Sequence, residues 1–303
     1  MKHNEKMAGI VLLAWILLLL AVSCKEDNPL DKYVDPSKAI IPPSGTLVKI
    51  MQYNIYGARG LYLSKDFDAL AEVIHAQNPD FVSINEVDSA TNRSKGTIHT
   101  EELCKRLSAL SGGKDIWKWN YAIAFEFGTP GAYSGVGTYG DAVLTKHEII
   151  ESRDFQMQPD ETQGTEEREV RSVAAIRTKV DGQEFWMVST HLDHRSIELS
   201  RIYQAKQLKD ILSSMPGRLF LAGDLNAVPT SETMKLIFGY MQKCYMSETQ
   251  YTFPSFWKGA SPTSMIDYVM YMTPDIHVKC TGYKVIQNTA SDHCAVVATF
   301  LLD

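Results

Sequence analysis

The sequence predicts an α+β domain in which two packed sheets carry helices on their outer faces. Strand-like apolar runs bounded by turn signals predominate from residue 46 onward. Runs such as RLFLAGDL and CAVVATFLL are so apolar that both faces of their sheets need cover. Only a few segments place apolar residues at helical spacing, and these punctuate the strands.

Taken in order, LVKIMQYNI (47–55) reads as the first strand. DFDALAEVIHAQ (66–77) reads as a helix, with Phe67, Leu70, Val73 and Ile74 on one face. FVSINEV (81–87) is a second strand, and TEELCKRLSAL (100–110) a second helix stopped by Gly112-Gly113. Strand character returns at NYAIAFEF, DAVLTK, SVAAIRTKV and EFWMVSTH, and Asp181-Gly182 joins the last two as a hairpin turn. IELSRIYQAKQLKDILSSM (197–215) is a long amphipathic helix. RLFLAGDL, MIDYVMY, IHVKCTGYKVI and CAVVATFLL complete the strands.

The N-terminus has a basic start, an apolar run from Ile10 to Val22 and a small residue before Cys24. The run falls short of the about 20 residues of a membrane span and has the length of a signal-peptide core. AVSC resembles a bacterial lipobox, although Ala21 stands where Leu, Val or Ile is usual, and Cys24 would be acylated. Lys25, Glu26 and Asp27 resemble the acidic export tag of Bacteroidetes lipoproteins. Residues 1–23 are therefore read as a lipoprotein signal peptide, 24–45 as a flexible tether rich in Pro, Asp, Lys and Ser, and 46–303 as one domain. The plain alternative is a signal anchor with an incidental cysteine. The expected location is the outer membrane, at the cell surface or on the periplasmic face. Its lipid is reached through acylated Cys24, and no obligate protein partner is implied.

The chain of 303 residues is 45% hydrophobic and 22% charged, enough to bury a substantial core. A net charge of −6 argues against a protein that lives by non-specific contacts to phosphate backbones, though a nuclease with a locally basic groove is compatible. Beyond Cys24 lie Cys104, Cys244, Cys280 and Cys294, which permit three pairings or remain thiols. None forms a C-x-x-C pair, so a zinc knuckle is not indicated.

The strongest chemical signal is RLFLAGDLNAVPT. An apolar strand ends at Leu221, Gly223 frees the backbone, and Asp224 and Asn226 follow on one side of an extended chain. A carboxylate beside a carboxamide suits phosphate-ester hydrolysis. The acid orients and deprotonates water, and the amide hydrogen-bonds it without adding repulsive charge. GDLN alone is equally an Asx turn. FVSINEVD adds Glu86 as a hard-cation ligand, and IMQYNIYG adds Asn54 as a neutral oxygen donor. MIDYVMY places Asp267 within an apolar strand, where an unpaired carboxylate is costly. SDHCAVVATF opens with Asp292 and His293, and an Asp267–His293 pair would satisfy both. STHLDH supplies His191 and His194. Each of these taken singly is more often a satisfied core group or a turn residue. Polar residues at six separate strand ends point to one site.

The ordered set YNI, NEVD, YGDAVLTK, STHLDH, GDLNAVP, IDYV and SDH resembles the endonuclease/exonuclease/phosphatase superfamily over residues 47–303. This deoxyribonuclease I-like group includes apurinic endonucleases, inositol polyphosphate 5-phosphatases and neutral sphingomyelinases. The resemblance implies a four-layer α/β/β/α sandwich of two mostly antiparallel sheets flanked by helices. It implies Mg2+, or Mn2+ in its place, held chiefly by Glu86 with Asn54 and Asp292. His191 would contact the scissile phosphate, Asp224 and Asn226 would activate and orient water, and Asp267 would orient His293. Two positions depart from the family pattern. Asp141 stands where many members have Asn, and an acid there would draw in a second cation or alter phosphate contacts. Asn85 stands where Gln is frequent, which looks harmless.

A zinc hydrolase of the metallo-β-lactamase type would need His at position 189, where the chain has Ser189. The other strand ends offer carboxylates and amides, which suit Mg2+ better than Zn2+.

The function expected is metal-dependent hydrolysis of a phosphodiester or phosphomonoester by water attack at the cell envelope. The substrate would be a lipid headgroup, an inositol or sugar phosphate, or a similar ester. STHLDH and the preceding EREVRSVAAIRTKVDGQ resemble a bacterial metal-dependent hydrolase branch nearer the sphingomyelinases than the DNA-repair enzymes. Asp141, Arg171 and His194 are candidates to contact substrate. Arg195 and Lys258 are further cations, although solvated charge is the commoner role of each. Tyr251, Phe253, Phe256 and Trp257 form a candidate rim, or a loop packed by its own side chains. A surface or periplasmic nuclease, or a non-catalytic surface-binding lipoprotein on the same scaffold, are the alternatives. The full Asn–Glu–His–Asp–Asn–Asp–His set favours catalysis, because a binding module has no need of all seven.

Overall fold

The computed structural model describes residues 45–59, 66–129, 133–162, 169–245, 247, 249–256, 259–272 and 274–303. The signal peptide, Cys24 and the tether up to residue 44 lie outside the described residues, as do Trp257 and Lys258. Among the described residues no helix is long and apolar enough to cross a membrane.

Among the described residues, twelve strands form two six-stranded sheets. The first contains β1 (Thr46–Asn54), β2 (Phe81–Ser89), β3 (Lys118–Glu126), β4 (Thr138–Thr145), β11 (Val278–Ile286) and β12 (Ala295–Leu302), in the order β11-β12-β1-β2-β4-β3. The second contains β5 (Ile149–Met157), β6 (Arg171–Val180), β7 (Gln183–His191), β8 (Leu219–Asp224), β9 (Met241–Lys243) and β10 (Asp267–Met272), in the order β5-β6-β7-β8-β10-β9. Pairing is antiparallel except between β1 and β2 and between β7 and β8. Those two parallel pairs are bridged by helices α1 (Phe67–Gln77) and α3 (Leu199–Ser213), because a parallel pair needs a crossover long enough to return the chain. Helix α2 (His99–Leu110) packs beside α1, and α4 (Glu232–Ile237) beside α3.

Three apolar clusters define four layers. Met51, Tyr53, Val82, Ile84 and Leu144 pack outward against Phe67, Leu70, Ile74, Leu103 and Leu107 of α1 and α2. Trp186, Val188, Leu219, Leu221 and Met270 pack outward against Leu208, Leu212, Met234 and Ile237 of α3 and α4. Val48, Ile50, Phe81, Val143, Ile176, Met187, Phe220, Val269 and Phe300 fill the space between the sheets. This is the α/β/β/α sandwich that the double-sided apolar strands imply, since each sheet buries both faces.

Strand β5 and helix α4 escape the apolar-run reading. Along β5 burial alternates residue by residue at a sheet edge, and α4 spans under two turns. The Asp181-Gly182 turn does join β6 to β7, with both residues at positive φ (46° and 87°), as a two-residue hairpin requires. Gly223 has a different role from the one its sequence suggests. It lies within β8 as ordinary strand, and a Cβ there would sit 2.2 Å from the Thr190 carbonyl oxygen, so glycine permits the close approach of β7. A disulfide joins Cys244 to Cys280, and Cys104 and Cys294 are buried thiols.

Candidate active site

The site grows out of the space between the sheets. Along β1 the inward residues run Val48, Ile50, Gln52, Asn54, and along β7 they run Phe185, Met187, Ser189, His191. Along β8 they run Phe220, Ala222, Asp224. On each strand the inward face changes from apolar to polar toward the same end, with the period of two fixing which residues face in. Bonds across the sheets satisfy this polar layer. Ser83 Oγ meets Ser189 Oγ at 2.7 Å, Asn85 Nδ2 donates to the Thr190 carbonyl at 3.0 Å, and Asn54 Nδ2 donates to Asp224 Oδ2 at 3.0 Å. Gln52 Nε2 donates to Asp267 Oδ1 at 3.3 Å and to Asn85 Oδ1 at 2.6 Å.

Above this layer opens a cavity of about 350 Å³ lined by Glu86, Arg171, His191, His194, Asp224, Asn226, Asp292 and His293. Eight of the eleven candidate site residues of the domain thus face one space. Asn54 and Asp267 lie buried directly beneath it.

Strict alternation would send Glu86 to the face opposite Asn85. A β-bulge between Ile84 and Val87 overrides it, and Glu86 adopts φ 60°, which re-aims its carboxylate toward the cavity. Asn54 Nδ2 donates to Glu86 Oε1 at 3.2 Å. Asn226 (φ 48°) donates its backbone N–H to Asp224 Oδ1 at 2.9 Å. The Asx turn and the side-by-side placement of Asp224 and Asn226 are therefore one structure.

His293 Nδ1 lies 2.9 Å from Asp267 Oδ2, and its Nε2 lies 3.6 Å from Asp224 Oδ2. Phe253 packs on the imidazole with ring centroids 4.7 Å apart. Burial works against charge on His293, but Asp267 and Asp224 outweigh it and raise it to about 10. Burial, and then the charge of Asp267, push Asp224 up to about 7. Burial, opposed by His293 and reinforced by Glu86, holds Asp292 at about 6. On the other side His191 Nε2 lies 3.5 Å from the same Asp224 oxygen. Burial, and then the Arg171 cation, hold His191 well below the usual histidine range.

The donor set fits a hard divalent cation. Glu86 and Asp292 present two mutually repelling carboxylates to one cavity, with the Asn54 carboxamide beside them. Oxygen donors of this kind suit an ion that prefers carboxylates and carbonyls. Asp224, Asp267 and His293 also bring ligand atoms within 4.8 Å of one another, but there the imidazolium already offsets the two acids.

Several expectations need correction. Asp141 does not face substrate. It is buried at the polar layer, accepting from Ser172 Oγ at 2.6 Å and from Asn85 Nδ2 at 2.7 Å, and burial raises it to about 6. The two departures from the family pattern thus touch each other. Arg171 borders the cavity, but it is 1% exposed and its guanidinium is engaged with Glu169, His191 and His194. Arg195 is tied to the buried Asp193 at 2.6 Å and to Ser200 Oγ at 3.1 Å, so it is not a free substrate-side cation. Of the described rim residues Tyr251, Phe253 and Phe256, only Phe253 lines the cavity.

Arg93, Phe125, Tyr133, Tyr139 and Glu169 also line the cavity, and the sequence patterns above did not single them out. Asp88 grips Arg93 through Nε and Nη2 at 2.8 Å, and the guanidinium lies over the rings of Phe127 and Tyr139 at 5.2 and 5.3 Å. Tyr139 stands two residues before Asp141 on β4, where period-two spacing would have found it, whereas Glu169 precedes β6 and carries no such signal.

The sequence profile of the endonuclease/exonuclease/phosphatase family matches residues 51–293. No curated protein matches the chain. Similar solved structures include an endonuclease/exonuclease/phosphatase from Beutenbergia cavernae, with 21% identity and TM-score 0.66, covering 84% of this chain and 72% of that one. A family protein from Bacteroides thetaiotaomicron gives 16% identity and TM-score 0.65, covering 86% and 99%. A mannosyl-6-phosphatase of the same organism gives 15% identity and TM-score 0.62, covering 84% and 99%. At these identities the structures speak for the fold.

Proposed function

The chain belongs to the endonuclease/exonuclease/phosphatase family, and from that premise and the geometry above we propose that it is a Mg2+-dependent phosphoesterase acting on a small phosphate ester. The observation that carries the reading is Asp224, buried between two histidines and bordered by Glu86 and Asp292 in one cavity. Glu86, Asn54 and Asp292 would hold the cation, with Mn2+ as its substitute. When bound, it supplies positive charge to a phosphoryl oxygen as negative charge develops there.

The protein's own groups do the rest. Asp224, held near 7 by burial and Asp267, is poised to take a proton from water at neutral pH. Asn226, on the same turn, orients that water. His293 stays protonated through the physiological range and offers an N–H to phosphoryl or leaving-group oxygen, while Asp267 fixes its ring. His191 donates from the opposite side.

A small substrate is supported by the wall itself. Four carboxylates (Glu86, Glu169, Asp224, Asp292) face two arginines, a poor balance for a polyanion, and the net charge is −6. Phe125, Tyr133 and the fixed Arg93 offer apolar and hydrogen-bonding surface to an organic leaving group. Sugar, inositol and lipid-headgroup phosphates fit that description. The mannosyl-6-phosphatase named above is similar to this chain in fold. The N-terminal sequence alone supports anchoring of this activity to the outer membrane through Cys24. A Cys24→Ser variant that stayed in the membrane fraction would refute that anchor.

The test of the activity is hydrolysis of p-nitrophenyl and bis-p-nitrophenyl phosphate with Mg2+, Mn2+ or chelator. It is followed by a panel of sugar phosphates, inositol phosphates, sphingomyelin and plasmid DNA. Chelator-sensitive turnover with preference for a small ester is expected. Absence of turnover with any divalent ion would favour a binding protein, and preference for DNA would favour a nuclease.

A further inference from the structure

His191 is backed by a cation, whereas its counterpart His293 is backed by a carboxylate. Arg171 Nη1 lies 3.1 Å from His191 Nδ1, and Arg171 Nη2 lies 2.5 Å from Glu169 Oε2. Nη2 also lies 3.2 Å from His194 Nδ1, which is 3.5 Å from the same Glu169 oxygen. Tyr133 Oη donates to the other Glu169 oxygen, Oε1, at 2.6 Å. The guanidinium is therefore clamped from behind and cannot swing away from the ring.

We propose that Arg171, anchored by Glu169, is a positioning residue that locks His191 as a neutral imidazole with its proton on Nε2. The reason is the donor inventory. A guanidinium has only N–H groups and no acceptor, so the ring nitrogen it faces has to be the lone-pair nitrogen. That assigns Nδ1 as acceptor and leaves the single ring proton on Nε2, the nitrogen nearest Asp224. Asn226 Nδ2 also approaches Nε2, at 2.9 Å, while donating to the Leu192 carbonyl at 3.1 Å. A proton on Nδ1 would point at the Arg171 cation, whereas a proton on Nε2 meets a neutral amide and has the Asp224 carboxylate 3.5 Å away, so Arg171 decides the tautomer. The depressed affinity of His191 for a second proton agrees with this.

The lock deepens the phosphoesterase reading and, for its catalytic meaning, rests on it. An Nε2–H ring can give a hydrogen bond to Asp224 or to a phosphoryl oxygen. It cannot take a proton from water at that nitrogen, so His191 is excluded as general base and Asp224 is left with that task. Arg171 acts through His191 and has no need to touch substrate.

The test is a long-range ¹H–¹⁵N spectrum of the histidine rings in metal-free, ¹⁵N-labelled protein at pH 7. The His191 signals are identified by their loss in His191→Gln. Expected for His191 is a protonated, pyrrole-type Nε2 and an unprotonated, pyridine-type Nδ1. An imidazolium pattern, or a proton on Nδ1, would overturn the proposal. Arg171→Met should replace the single tautomer by averaged or protonated signals, and Arg171→Lys should restore it. A single Nε2–H tautomer surviving in Arg171→Met would also overturn it. Should that variant not fold, the wild-type spectrum still decides. The ring is read without substrate, so a protein inactive on every phosphate ester could still confirm the lock, and an active one could refute it.

Discussion

Two histidines face one carboxylate from opposite sides, at 3.5 and 3.6 Å from Asp224 Oδ2, and the protein holds them in opposite charge states. His293, ahead of β12, is backed by Asp267 and stays an imidazolium to about 10. His191, at the end of β7, is backed by Arg171 and is held neutral. Burial opposes charge on both rings, so the difference comes from the partner behind each one. One arm of the site can release a proton, and the other only shares one. The comparison predicts unequal losses. His293→Ala should lower kcat by about 10³- to 10⁴-fold, the range for a lost acid that also carries charge. His191→Ala should lower it by about 10²-fold, as for removal of one neutral donor. Equal losses, or the reverse order, would show that the partner behind each ring does not set its role.

Asp267→Asn sharpens it. The amide keeps the shape behind His293 and removes the charge that holds its proton. A loss of about 10²-fold is expected at pH 8, with the alkaline limb of the pH–rate profile moved toward neutrality. The sign follows from the raised pKa, since the group that lifts it is the one removed. An unmoved limb would show that another group sets it.

The neutral arm is tested through stability. Burial disfavours the Glu169 carboxylate, yet Arg171 and then His194 hold it well below the usual range. A depressed acid contributes stability that is complete above its unfolded value, about 4.3, and is lost as pH falls through its folded value. Glu169→Gln should therefore be less stable than the native protein by about 3–5 kcal/mol at pH 7. The two should converge as pH falls below 4 in denaturant titrations. A constant difference across that range would remove the ion pair from the account.

Much of this was legible because the chemistry sits where strands end. The three apolar layers follow from continuous runs, and the Asp267–His293 pair follows from a carboxylate stranded among Ile266, Tyr268 and Val269. Glu86 was legible as an acid at a strand end but not in its direction, which depends on a bulge in the pairing with β4. The environment of Arg171 was not legible. Surface arginines and clamped ones look alike until Glu169, itself held by Tyr133, is brought against the guanidinium. For Asp141 the family pattern gave the departure but not its partner, since Asn85 lies on a neighbouring strand.

That partner makes a final, smaller prediction about how each arm uses a buried acid. Asp267 touches its histidine, whereas Asp141 is held by Ser172, the neighbour of Arg171 in sequence, and by Asn85. If Asp141 only fills the polar layer, Asp141→Asn should leave kcat within about tenfold, since an amide oxygen still accepts from Asn85 and an amide N–H can donate to Ser172. Stability should then change in the opposite sense to Glu169→Gln. Burial raises Asp141 from 3.8 to about 6, so its ionisation costs stability as pH rises through that window. Asparagine escapes the cost. The variant should be more stable than the native protein by about 1–3 kcal/mol at pH 8 and should lose that advantage below pH 4. A large loss of kcat with the expected gain in stability would mean that the charge of Asp141, and not merely its shape, reaches the neutral arm through Asn85.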